Sequence, residues 1–168
     1  MFVIAGLGNP GIEYALTRHN AGFLGIDNLA GKYNMASYKK KFDALVAEGV
    51  ILGQKVLLLK PETFMNNSGN SIMKALHFYK QGPEKLIVIH DELDLPFGAV
   101  RLKSGGGTAG HNGLNSIVRH LGQEFTRIRI GIQKREVLGR FSADELEALP
   151  AVLDDVVGKV EGILKNGV

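Results

Sequence analysis

The side chains able to exchange a proton near neutral pH are five histidines: His19, His77, His90, His111 and His120. His77 and His120 fall inside segments with helical periodicity, where a satisfied or exposed structural imidazole is the usual case. His90 adjoins Asp91 in the run Ile87-Val88-Ile89-His90-Asp91. Strand alternation sends these two side chains to opposite faces, so at most one of them points into a given site. His19 and His111 each stand at a junction of loop and helix, and each is followed by asparagine. With a carboxylate on one ring nitrogen, either could keep the other free to take a proton from water. Attack on a carbonyl also needs donors for the developing negative charge. The amides of Asn9, Asn66 and Asn112 stand at three separate loop ends and could supply them. These residue types suit hydrolysis by an activated water, and they leave the choice between His19 and His111 open.

Other chemistries fit less well. The chain has no cysteine, which removes thiol nucleophiles, thiolate zinc sites and disulfides together, and fits a reducing cytosol. There is no G-x-S-x-G elbow for a nucleophilic serine. His19, Asp91, Asp94 and His111 would be the donors of a zinc site, but no H-E-x-x-H or similarly spaced pair occurs, so no metal is expected. Gly6-Leu7-Gly8-Asn9-Pro10-Gly11 matches the G-x-G-x-x-G dinucleotide fingerprint directly after a strand. That fingerprint needs a helix opening at once to face a pyrophosphate. Here Pro10 lacks an amide, residues 13–18 read as loop, and Asp27 falls inside a helix. The glycines are expected instead to form a tight turn that aims Asn9.

The elements that must hold these residues alternate along the chain. Phe2–Ala5 reads as a buried strand and His19–Tyr33 as a helix interrupted by glycines. Phe42–Ile51 and Gln54–Lys60 read as two strands joined by a turn around Gly53. Ser71–Lys80 is a helix, Lys85–Asp91 an apolar strand, and Val100–Lys103 begins another. Leu114–Leu121 is a helix, and Thr126–Ile132 alternates as a half-exposed strand should. Ser142 with Glu145 forms a capping box for a short helix, and a last helix is expected from Pro150. Interleaved strands and helices predict an α/β fold of three layers, with a twisted, mixed, mostly parallel sheet flanked by helices. A length of 168 residues predicts one domain spanning 1–168.

Charge is unevenly placed. Residues 1–141 carry 18 Lys+Arg against 11 Asp+Glu, whereas residues 142–168 carry 2 against 6. Residues 101–140 alone hold Arg101, Lys103, Arg119, Arg127, Arg129, Lys134, Arg135 and Arg140 against Glu124 and Glu136. Such a stretch is either a solvated basic face or a patch that attracts a polyanion such as RNA. The opening residues lack the basic, long apolar pattern of a signal peptide or membrane span.

Several separate strings then resemble the bacterial peptidyl-tRNA hydrolase family over essentially the whole length. They are Gly6-Leu-Gly-Asn-Pro-Gly11, Tyr14, Thr17-Arg-His-Asn-Ala-Gly22, Lys60-Pro61, Thr63-Phe-Met-Asn66 and Ser68-Gly69. Further along come His90-Asp-Glu-Leu-Asp-Leu-Pro96, Gly105-Gly-Gly107, Gly110-His-Asn-Gly-Leu114 and Arg127-Ile-Arg-Ile-Gly-Ile132. The resemblance implies a cofactor-independent enzyme that hydrolyses the ester between a peptide and tRNA, recycling the tRNA. By the matching motifs it makes His19 the general base and Asp91 its orienting carboxylate. Asn9, Asn66, Asn112 and His111 become groups that position substrate and water. Tyr14, Phe64 and Met65 become the floor of a peptide channel, and Arg101, Lys103 and Arg129 contacts to the tRNA backbone. It further implies a monomer in the cytoplasm, away from membranes, whose partner is peptidyl-tRNA. The Gly105–Gly110 loop could add backbone donors for a phosphate, or act as a hinge.

Two departures from the family pattern border the expected tRNA face. Residues 133–139 form a shorter loop than is usual, and Lys165-Asn-Gly-Val168 ends earlier than in many relatives. Two other classes of function compete: an RNA-binding protein without catalysis, and an esterase or amidase of small molecules. Retention of His19, Asp91 and the three asparagines opposes the first. Salt-dependent RNA affinity would exclude the second.

Overall fold

The computed structural model, which describes residues 1–166, forms one sheet from seven strands. They are β1 (Phe2–Gly6), β2 (Lys39–Lys41), β3 (Ala44–Ile51), β4 (Gln54–Pro61), β5 (Leu86–Glu92), β6 (Val100–Ser104) and β7 (Thr126–Gly131). Their order across the sheet is β2-β3-β4-β1-β5-β7-β6. The central strands β4, β1, β5 and β7 are parallel, while β2, β3 and β6 pair antiparallel at the two edges. Helices α1 (Ala21–Lys32), α2 (Ser68–Phe78), α3 (Asn112–Leu121) and α4 (Ala143–Asn166) complete the α/β layering expected from the sequence. Among the described residues, no helix is long and apolar enough to cross a membrane.

Strand alternation divides the interior into two cores. Val3, Ala5, Leu57, Leu59, Leu86 and Val88 pack with Ile72 and Leu76 of α2 and Leu114 and Ile117 of α3. Ile4, Leu58, Ile87, Ile89, Ile128 and Ile130 meet Ile26 and Leu29 of α1 and the apolar stripe of α4. Each such buried Leu or Ile contributes about 2 kcal/mol relative to exposure. From β1 the chain runs through α1 to the β3–β4 hairpin on one side. It then passes through α2 to β5 on the other side of β1. A reversal of this kind opens a crevice beyond the carboxyl ends of the parallel strands, here after Gly6, Pro61 and Glu92.

The structure departs from the sequence expectations in several places. β7 is buried rather than half-exposed, because α1 and α4 cover Ile128 and Ile130 on one face and the Gly106–Gly107 loop covers Arg127 on the other. The helices predicted on either side of Pro150 are one helix, Ala143–Asn166, with the proline inside it. Pro150 removes one helical hydrogen bond, but the apolar face from Leu149 to Leu164 is continuous and its burial outweighs that loss. The capping box is present: Ser142 N–H donates to Glu145 Oε1 at 2.8 Å, and Glu145 N–H to Ser142 Oγ at 3.2 Å. Residues Ile12–Tyr14 form a 3-10 turn rather than open loop, and the three lysines of β2 form a strand with no apolar signal. Gly167 and Val168, part of the early C-terminal end, lie outside the described residues.

Gly6 and Gly8 make close packing possible rather than a tight turn. A Cβ on Gly6 would collide with the Gly22 carbonyl and Ile26, and one on Gly8 would lie 2.7 Å from the Phe23 ring. A Cβ on Gly22 would strike the Ile89 carbonyl and the Leu7 amide. The start of α1 therefore rests directly on the ends of β1 and β5, which is what brings residue 19 to residue 91.

Candidate active site

Asp91, at the carboxyl end of β5, is buried and shared between two imidazoles. Its Oδ2 lies 2.7 Å from His19 Nδ1, and its Oδ1 lies 2.7 Å from His111 Nε2. His111 also caps α3: its Nδ1 accepts from Gly113 N–H at 3.1 Å and Leu114 N–H at 3.3 Å. A nitrogen that accepts two amides carries no proton, so the His111 proton sits on Nε2 and is donated to Asp91. Both nitrogens of His111 are thereby used. His19 donates from Nδ1 to the other carboxylate oxygen, which leaves its Nε2 lone pair free. Burial alone would push the Asp91 carboxyl up, but the electrostatic pull of the His111 ring and the bonds from His111 and His19 hold it well below the usual carboxylate range. The anion persists at neutral pH and fixes both tautomers.

The same cluster bears on the metal reading. One donor atom each from His19, Asp91 and His111 lie within 4.8 Å of one another, whereas Asp94 is exposed and stands apart. The facing atoms are spent on hydrogen bonds, however, and a metal at His111 would have to displace either the Asp91 bond or the helix cap. His90 lies beneath, its ring 5.2 Å from that of His111. His90 and Asp91 do leave the strand on opposite faces, yet both border His111, because that residue spans the strand end. Burial, aided by the nearby His111 ring, lowers the His90 pKa to about 3, so His90 stays neutral.

The asparagines are held unequally. Asn9 is buried, and its Oδ1 accepts the Met65 amide at 2.8 Å, which turns its NH₂ the other way. Asn20 clamps the Asn9 backbone, accepting its N–H at 2.8 Å and donating to its carbonyl at 3.0 Å. Met65, next to Asn66, packs close to Gly113, next to Asn112, so the three loops meet around this methionine. Asn66 and Asn112 are both exposed. Tyr14 and Phe64 meet edge to face with centroids 6.2 Å apart. Phe64 holds a strained positive φ of 56° and leaves half its surface exposed.

Two cavities flank this cluster. One of about 150 Å³ is lined by His19, Asp91, Leu93, Gly110, Asn112 and Val137 among others. The other, of about 200 Å³, is lined by Asn9, Ala15, Asn20, Phe23, Lys60 and neighbours. Beyond them, register places Arg101 opposite Arg129 and Lys103 opposite Arg127, so four cations share one face of β6 and β7.

The peptidyl-tRNA hydrolase family model matches residues 3–168. The chain belongs to that family. A peptidyl-tRNA hydrolase of Geotalea daltonii is 49% identical over 98% of this chain and 91% of its own. One from Fusobacterium nucleatum is 47% identical over 93% and 85%. A solved peptidyl-tRNA hydrolase in complex with N-propanol superposes with a TM-score of 0.93 at 43% identity, covering 99% of this chain and 89% of that one.

Some contacts at this family site were not anticipated from the sequence. Asn20 supports Asn9, and the only hint was the His-Asn step. The short loop after β7 docks on the histidine segment: Val137 carbonyl accepts His19 N–H at 2.7 Å and Gly139 carbonyl accepts Arg18 N–H at 3.0 Å. Arg18 forms a buried ion pair with Glu145 at 2.9 Å, tying that segment to the first turn of α4. His77 and His120 are exposed and remote from this cluster.

Proposed function

We propose that this chain hydrolyses the ester between a peptide and the tRNA 3′ ribose, with water activated by His19, thereby recycling tRNA. The observation that carries the mechanism is the shared carboxylate: of the two imidazoles on Asp91, His19 alone keeps a free nitrogen. Water gives a proton to His19 Nε2 as its oxygen adds to the ester carbonyl. Asp91 stabilises the resulting imidazolium. Collapse breaks the bond to the ribose oxygen, which takes the proton back from His19. Asn9, Asn66 and Asn112 hold the ester, the peptide backbone and the attacking water, with amide N–H groups facing the developing oxyanion. Tyr14, Phe64 and Met65 floor the peptide channel, where generic contacts suit a variable peptide. Arg101, Lys103 and Arg129 contact tRNA phosphates, which position RNA without reading its bases.

In this reading the protein acts as a monomer without cofactor, as one unit over residues 1–168, in the cytoplasm. The test is release of an N-blocked amino acid from tRNA, with free aminoacyl-tRNA as control. Strong preference for the blocked ester is expected, with a loss on the order of a hundredfold or more in His19→Ala. Unchanged turnover in His19→Ala would refute the base assignment.

A further inference from the structure

The glycine loop between β6 and α3 is held by a buried cation. Arg127 is 1% exposed, and its guanidinium lies 4.4 Å from the centroid of the Phe125 ring. It donates to the carbonyls of Gly107, of Gly106 at 2.6 Å and of Gln123 at 3.1 Å. Among the described residues, no carboxylate comes within ion-pair distance of it. Three backbone carbonyls take its terminal N–H groups, its Nε is left without a partner, and Glu124 offsets its charge only from beyond ion-pair distance, a costly arrangement for a structural role alone. The Thr108 carbonyl is likewise turned inward, accepting His111 N–H at 3.0 Å.

In a planar trans peptide, the carbonyl of one residue and the N–H of the next point in opposite directions. With the carbonyls of 106, 107 and 108 turned inward, the amides of Gly107, Thr108 and Ala109 are directed away from those partners. None of the three donates a hydrogen bond among the described residues. Successive free amides of this kind form an anion-binding concavity. Lys103 reaches along it, its Nζ 3.1 Å from where a Cβ of Gly106 would stand. The far end of the loop, Ala109 and Gly110, lines the cavity that holds His19 and Asp91.

We infer that Gly107, Thr108 and Ala109 bind a phosphodiester of the single-stranded 3′ end of the RNA, and that Arg127 is the positioning residue that orients their amides. The inference rests on the proposed hydrolysis. The loop lies beside the reacting ester, so the phosphate it takes is the one on the 5′ side of the terminal nucleotide. Arg127 does not touch that phosphate. It orients the loop and adds positive potential beneath it.

The experiment follows backbone amide resonances of the ¹⁵N-labelled protein during titration with a cytidylyl-cytidylyl-adenosine trinucleotide and, separately, with inorganic phosphate. Saturable shifts of Gly107, Thr108 and Ala109 with the trinucleotide are expected. Unmoved amides, or shifts with phosphate alone, would overturn the assignment. Arg127→Lys keeps the charge but cannot hold three carbonyls in a fixed fork. In it KM should rise roughly tenfold, the value of one hydrogen bond to a charged group, while kcat and the pH profile stay put. An unchanged KM would equally overturn it. Wild-type turnover of peptidyl-tRNA separates the two levels: if it persists while the amides stay silent, this inference alone fails.

Discussion

Asp91 accepts one proton from each of two histidines, and a carboxylate has the two oxygens this requires. Asparagine has one acceptor and one donor at the same two places. In Asp91→Asn, His111 would retain the acceptor, because its Nδ1 is committed to the α3 cap. The NH₂ would then face His19 Nδ1, and the His19 proton would move to Nε2, the nitrogen the reaction needs free. The expected result is a loss on the order of a thousandfold or more in kcat at neutral pH, with the acid limb of any residual pH–rate profile moved to lower pH. A profile that stays in place at near-normal rate would remove Asp91 from the mechanism. Residue types alone could not show this asymmetry, since His19 and His111 have the same local pattern of histidine, asparagine and helix start. What separates them is which ring nitrogen the helix cap occupies, and that depends on three-dimensional direction. Asn9 was legible as a candidate, but the Asn20 clamp on its backbone was not.

At the scale of elements, the site depends on how closely α1 can rest on the sheet. Gly22 has no room for a Cβ, being pressed against the Ile89 carbonyl and the Leu7 amide, both backbone groups that cannot swing away. Gly22→Ala should destabilise the protein by about 3 kcal/mol, in the range of overpacked cores, and lower kcat by moving His19 from Asp91. Thermal unfolding and turnover together check this, and a variant with wild-type values of both would contradict it. Gly22, one of the glycines that weakened a helix assignment in sequence, is thus what lets the helix dock. The central strands were legible because short, continuous apolar runs mark them directly. β2 was not, because three exposed lysines gain their strand conformation only from pairing with β3. Pro150 argued for a helix break, yet the apolar stripe of α4 runs past it. The docking of the 133–140 loop and the Arg18–Glu145 pair join residues more than a hundred positions apart, beyond the reach of periodicity.

For the whole molecule, charge and chemistry are laid out side by side. Arg101, Lys103, Arg127 and Arg129 gather on one face of β6 and β7, where like charges directly opposite one another oppose sheet pairing. The proposed polyanion on that face would account for Arg101, Lys103 and Arg129, while Arg127 is turned under the glycine loop. If Arg101, Lys103 and Arg129 each neutralise one phosphate, log(kcat/KM) for peptidyl-tRNA should fall against log salt with a slope of about −3, and Arg129→Ala should reduce it by about 1. A flat salt dependence would favour a small-molecule esterase instead. The charge imbalance along the chain was visible in sequence, but its concentration on one face required the antiparallel register of β6 with β7.

The imidazole orientation on which the proposed mechanism depends can be observed directly from ¹⁵N shifts of the histidine side chains at neutral pH. The protein should show His19 protonated on Nδ1 with Nε2 bare, and His111 protonated on Nε2 with Nδ1 bare. A His19 carrying its proton on Nε2 at a pH where the enzyme turns over would contradict water activation by that nitrogen.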